Sequence, residues 1–103
     1  MTGNRILLIQ RIAEKDFQHW VQSYAEFHGW KIFHPYDSRR SAIGWPDLFL
    51  VRGDRALALE VKSNTGRLRP GQQAWLDALA LVPGITARII RPADEAEVRE
   101  LLR

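Results

Sequence analysis

The stretch from Gly44 to Lys62 reads as two short apolar strands either side of a tight turn at Gly53-Asp54. Gly-Asp between two such runs closes a two-residue β-hairpin. With Gly53 and Asp54 as the loop, Arg52 pairs with Arg55, and continuing the register sets Asp47 opposite Glu60. Opposed residues on an antiparallel ladder share a face, with Cβ atoms about 5 Å apart. Lys62 returns to that face two residues past Glu60. The hairpin therefore gathers two carboxylates and one ammonium.

On either side the period changes. From about Ala13 to His28, Phe17, Trp20, Val21, Tyr24 and Phe27 or His28 recur at three- and four-residue steps, and Gly29 ends the pattern. Trp30 to His34 reads as a short strand, and Pro35 to Ile43 as a polar, basic loop. Pro70 opens a helix at its favoured first position, with Trp75, Leu76 and Leu79 as its stripe and Pro83-Gly84 near its end. Ile85 to Arg91 reads as a strand. Pro92 opens a last helix through Leu102, burying Val98, Leu101 and Leu102. Arg5 to Ile12 fits a strand, a helix start or an arm packed on a second subunit, so residues 1–12 are set apart as an N-terminal arm from a single domain at 13–103. The order helix, three strands, helix, strand, helix predicts an α/β fold. The first three strands form an antiparallel meander, and a right-handed crossover returns the last strand parallel to the Glu60 strand. Helices packed on this mixed sheet make two layers.

Composition narrows the class. A chain of 103 residues holds one domain with a real core, and 46% apolar with 26% charged residues is a globular balance. The absence of cysteine excludes disulfides, thiolate zinc sites and a cysteine nucleophile. No apolar run is long enough for a membrane span and no signal-peptide layout is present, which points to the cytoplasm. A net charge of +3 is a weak pointer to nucleic acid. Its distribution says more: Lys31, Arg39, Arg40, Arg67 and Arg69 flank the hairpin, while Asp94, Glu95, Glu97 and Glu100 crowd the C-terminus.

Opposed carboxylates destabilise a strand pair unless something neutralises them. A lysine does part of this, and Mg²⁺ or Mn²⁺, which take carboxylate oxygens, water and phosphate oxygens, would do the rest. The trio is thus a candidate metal site for phosphoester chemistry, and equally a surface salt-bridge group. Glu14 on the first helical turn suits the helix dipole, a reading favoured over a carboxylate at the rim of the cleft. Gln72 is either an exposed polar residue or an amide aimed back at the cleft. Arg39, Arg40 and the serines beside them, Ser41 included, can hold phosphates or form a solvated connection. Gly44 permits a turn or a close backbone approach, and Pro46 fits the first position of a strand. His19, His28 and His34 lack metal-ligand spacing and read as surface or packing residues, with His34 nearest the cleft.

Pro46-Asp47 followed by Glu60-x-Lys62 resembles the PD-(D/E)XK nuclease superfamily. The longer pattern resembles the VRR-NUC family: Ala13-Glu14-x-x-Phe17-Gln18, Gly29-Trp30, Arg39 and Ser41, Gly44-x-Pro46-Asp47-Leu48, Glu60-Val61-Lys62, and Leu68-x-Pro70-x-Gln72-x-x-Trp75-Leu76. The likeness runs from Glu14 to about Leu102. Arg69 and Gly71 depart from the more usual Ser and acidic residue around Pro70.

The resemblance implies a restriction-endonuclease-like fold and a metal-dependent DNA endonuclease using Mg²⁺ or Mn²⁺ and no small-molecule cofactor. Asp47 and Glu60 would be metal ligands, with the Val61 carbonyl as a third. Lys62 would orient or help deprotonate the attacking water. Glu14 and Gln72 would be outer members of the site, which reverses the positional reading of Glu14 and decides that of Gln72. Arg39, Arg40, Ser41, Arg67 and Arg69 would hold the DNA backbone without reading bases. Small stand-alone members look like homodimers, and some members cut Holliday junctions. The expectation is a structure-selective nuclease on branched DNA. A nickase or flap-type nuclease on simpler DNA, or a non-catalytic DNA-binding module of the same fold, are the alternatives.

Overall fold

The computed structural model describes residues 13–35 and 43–103. In chain order these form α1 (Glu14–Phe27), β1 (Lys31–Phe33), β2 (Leu48–Arg52), β3 (Arg55–Val61), α2 (Pro70–Ala80), β4 (Ile85–Ile90), a 3₁₀ turn (Pro92–Asp94) and α3 (Glu95–Leu102). The strands make one sheet in the order β1-β2-β3-β4. β1 with β2 and β2 with β3 are antiparallel, and β4 runs parallel to β3. The expected meander and parallel crossover are both present. The last helix differs from expectation at its start. Pro92 opens a 3₁₀ turn, and α3 begins only after Asp94, whose Oδ2 accepts the Arg91 N–H at 3.0 Å.

Gly53-Asp54 closes the hairpin, and the pairing runs from Arg52↔Arg55 to Leu48↔Leu59. Every second residue then points the same way. Leu48, Leu50, Leu57, Leu59, Val61 and Ile90 line one face and pack with Phe17, Val21 and Ala25 of α1 and Val98 and Leu102 of α3. The buried stripe of α1 therefore passes through Ala25 and leaves Phe27 85% exposed, so Phe27 is not the core residue the spacing allowed. Ala58 and Glu60 alternate to the opposite face, where α2 lies, with its Gln72 bonded to Glu60. Helices thus cover both faces, giving three layers rather than the expected two. The reason is the crossover: α2 must arch over the face that α1 and α3 leave open to bring β4 back parallel to β3.

One arginine fastens the end of the hairpin remote from Asp47. Arg52 donates through Nη1 to the carbonyls of His28 (2.9 Å) and Leu102 (3.3 Å) and through Nη2 to that of Arg103 (2.9 Å). A cation there meets the negative ends of α1 and α3 together. It also stacks 4.3 Å over the ring of buried Trp30, whose Nε1 donates to Leu102 O at 2.8 Å. These contacts set how α1 and α3 lie on the sheet, and so where α1 carries Glu14.

Candidate metal and phosphodiester site

The site forms at the open end of the hairpin. Asp47 lies one residue before β2, and the observed register carries it opposite Glu60. Its Oδ2 accepts the Val61 N–H at 2.9 Å, so the carboxylate takes the place of a strand partner just past the last ladder pair. Lys62 N–H turns the other way and donates to Ile90 O at 3.0 Å. A trans peptide points its C=O opposite the following N–H, which aims the Val61 carbonyl toward Asp47. Two carboxylates and a main-chain carbonyl therefore share one side of β3.

Glu60 is the charged residue at the centre, and only 1% of it is exposed. Oε1 accepts from Gln72 Nε2 at 3.2 Å and lies 4.0 Å from the Lys62 ammonium. Oε2 is buried with no hydrogen-bond partner. The Asp47 carboxylate is close enough to act on Glu60, and two carboxyls can hydrogen-bond only when one of them carries a proton. Burial pushes the Glu60 pKa up from 4.5 to about 9; the proton shared with Asp47, the Asp47 charge and the more distant Glu14 charge add to the rise, and Lys62 opposes it. An orphaned, desolvated carboxylate oxygen beside a second carboxylate is a place where a hard cation would replace the missing proton.

Gln72 is positioned by the start of α2. Its Oε1 accepts the Arg69 N–H at 2.9 Å, capping the helix, which leaves Nε2 to reach Glu60. α2 is brought to the hairpin by a close joint with the segment before Asp47. Gly44 has φ +86°, and a Cβ there would stand 2.4 Å from the backbone C and O of Gly71 and 2.8 Å from Gln72 N. Trp75 Nε1 donates to Ile43 O at 3.1 Å, and Trp45 packs edge-on against Trp75 with ring centroids 5.0 Å apart.

Asp47, Glu60, Val61, Lys62 and Gln72 thus meet in one place. Glu14, at the exposed start of α1, is near enough for its charge to act on Glu60. Yet no group of three or more His, Asp or Glu side chains able to hold a metal is present among the described residues. Asp47, Glu60 and the Val61 carbonyl are the direct donors the geometry offers, and that oxygen set suits Mg²⁺ or Mn²⁺. Arg67 and Arg69 are exposed on the loop between Lys62 and α2. Arg39, Arg40 and Ser41 lie outside the described residues.

Three contributors were not read from the sequence as site residues. Arg91 reaches back to the Ser63 and Gly66 carbonyls (2.6 and 2.7 Å), and Asn64 Oδ1 accepts the Ala93 N–H at 2.9 Å. Together they hold the loop that carries Arg67. His34 bonds to the Asp47 carbonyl at 3.1 Å. All three act across sequence separations at which periodicity gives no signal; the hint for His34 was its place just before the loop to Asp47.

Comparison with curated proteins finds no match, and comparison with solved structures finds none either. The family model of the VRR-NUC domain matches residues 4–91. That match begins ten residues before Glu14 and stops before α3, so it takes in chain that the sequence resemblance left out and omits the last helix. Over most of its length, with the Asp47, Glu60 and Lys62 constellation inside the matched span, this chain belongs to the VRR-NUC family of nuclease-type domains.

Proposed function

We propose that this protein is a Mg²⁺- or Mn²⁺-dependent endonuclease that cleaves branched DNA as a homodimer, four-way junctions being the preferred substrate. The single observation that carries the reading is buried Glu60, its Oε2 without a partner and its carboxyl coupled to that of Asp47. A buried carboxyl left partly unsatisfied beside a second carboxylate adds cost and no stability to an otherwise well-packed sheet. A divalent cation held by Asp47, Glu60 and the Val61 carbonyl, with Glu14 reaching it through water, would neutralise the phosphate oxygens and the departing alkoxide.

The chain's own groups do the rest. Lys62, 12% exposed and beside Glu60, keeps an ammonium at the edge of the site, where it orients the in-line water and offsets charge building on the phosphate. Gln72 fixes the rotamer of Glu60 from α2. Arg67 and Arg69, with Arg39, Arg40 and Ser41 from the loop before Gly44, grip phosphates and read no bases, so selectivity follows DNA shape. A twofold dimer presents two such sites, as paired nicks across a symmetric junction require.

The test incubates purified protein with labelled linear, nicked, flap and four-way junction DNA, in Mg²⁺, Mn²⁺ or EDTA. Junction cleavage that EDTA abolishes is the expected result, with Asp47→Ala binding DNA and leaving it intact. Cleavage by Asp47→Ala at the wild-type rate would reject the site. Equal cutting of all four substrates would instead indicate a nickase or flap-type enzyme.

A further inference from the structure

Asp47 is held at two points, its carboxylate and its main-chain carbonyl. Its carboxylate is fixed by the Val61 N–H. Its main chain lies outside the ladder, which stops at Leu48↔Leu59, and the preceding Pro46 has no N–H to anchor the turn. The Asp47 carbonyl instead meets His34 Nδ1 at 3.1 Å. A carbonyl only accepts, so the imidazole carries its proton on Nδ1 there. Gln18 Nε2 lies 3.3 Å from Nδ1 and 3.4 Å from Nε2 of the same ring. With Nδ1 committed as a donor, Nε2 is the acceptor left for the Gln18 amide. The chain Gln18 to His34 to the Asp47 carbonyl thus links α1, the residue just after β1 and the turn into β2.

We propose that His34, oriented by Gln18, is a positioning residue that fixes the main chain at Asp47 and so aims its carboxylate at Glu60. This gives Gln18, a half-buried glutamine at the edge of the α1 stripe, a task that helix packing does not assign. The consequence for metal binding and cleavage rests on the nuclease reading above; the positioning itself does not.

Amide hydrogen exchange of the full-length chain, followed by NMR, tests the positioning without metal or DNA. Replacing His34 by Ala should speed exchange at the Val61 amide roughly tenfold, the weight of one hydrogen bond, while Leu57 and Leu59 amides keep wild-type rates. His34→Asn and His34→Gln retain an N–H donor and should recover much of the protection, and Gln18→Ala should move Val61 in the same direction by less. In parallel, calorimetric titration with Mn²⁺ should show affinity falling by about tenfold or more for His34→Ala, with kcat lowered and DNA affinity unchanged. Wild-type Val61 exchange in His34→Ala would overturn the proposal, as would a uniform rise along β3, which marks lost stability rather than lost aim. A wild-type protein that neither binds Mn²⁺ nor cuts DNA would sink the nuclease reading alone, because the Val61 amide still decides the role of His34.

Discussion

A carboxyl whose pKa is pushed up to about 9 binds a proton in the folded chain that the unfolded chain has already released. Below about 4.5 Glu60 is protonated in both states and costs nothing. As pH rises from there through 9, the folded state must either hold that proton or bury a charge, so Glu60 makes the metal-free protein progressively less stable. Glu60→Gln removes the penalty while keeping shape and an oxygen for Gln72. In EDTA this variant should show a higher urea midpoint than wild type at pH 8, and the gap should close toward pH 5. With Mg²⁺ the order should reverse, because the cation stabilises only the chain that can bind it. A wild-type midpoint that stays flat between pH 5 and 8 would show that Glu60 is not held as described. Cleavage should be lost in the same variant, separating stability from function at a single atom pair.

Between elements, the decisive contact is the joint of the Ile43–Trp45 segment with the first turn of α2. Gly44 and Gly53 both have positive φ, +86° and +61°, but a Cβ at Gly53 meets nothing within 4 Å. Gly53→Ala should therefore lose only the left-handed backbone penalty, about 1–2 kcal/mol. Gly44→Ala adds a steric collision with backbone that cannot swing aside, a further 1–3 kcal/mol or so, and should also reduce cleavage by pushing Gln72 away from Glu60. Urea denaturation of the two variants, with junction cleavage as the second readout, checks the contrast. The comparison also shows what a sequence can reveal. The hairpin register was legible because a two-residue turn and a period of two leave one way to pair Asp47 with Glu60, and the parallel return of β4 follows from its crossover. Gly44 was legible only as a turn or a close approach, since its neighbour Gly71 is far along the chain. The Ala25 stripe, the loop held by Arg91 and the link from Gln18 to Asp47 depend on which faces meet in three dimensions. The resemblance supplied Glu14 and Gln72, whose positions alone favoured a helix-dipole carboxylate for the first and left the second open.

At the scale of the whole molecule, a net charge of +3 singles out no phosphate-binding surface, but the arginines already engaged inside the fold narrow the candidates. Arg52 caps two helices, Arg55 lies over the Trp30 ring, and Arg91 holds the loop after Lys62. Arg88, Arg99 and Arg103 pair with Glu97, Glu95 and Glu100. Arg67 and Arg69 are exposed and carry no ion pair among the described residues, and they flank the way from Lys62 into α2. Each phosphate neutralised by such a side chain releases counterions, so log affinity falls with log salt at a slope of about 0.9 per contact on duplex DNA. Arg67→Ala and Arg69→Ala should each flatten that slope by about 0.9, measured by fluorescence anisotropy with labelled junction DNA on the Asp47→Ala background to prevent cutting. Arg88→Ala and Arg99→Ala, which open the pairs with Glu97 and Glu95 and, for Arg99, its stacking over Trp20 and Tyr24, should leave the slope unchanged. If all four variants shift it equally, DNA is held by diffuse charge rather than by a phosphate grip beside Asp47 and Glu60. If none does, the grip lies elsewhere, and Arg39→Ala and Arg40→Ala on the other side of Gly44 should then carry the whole salt dependence.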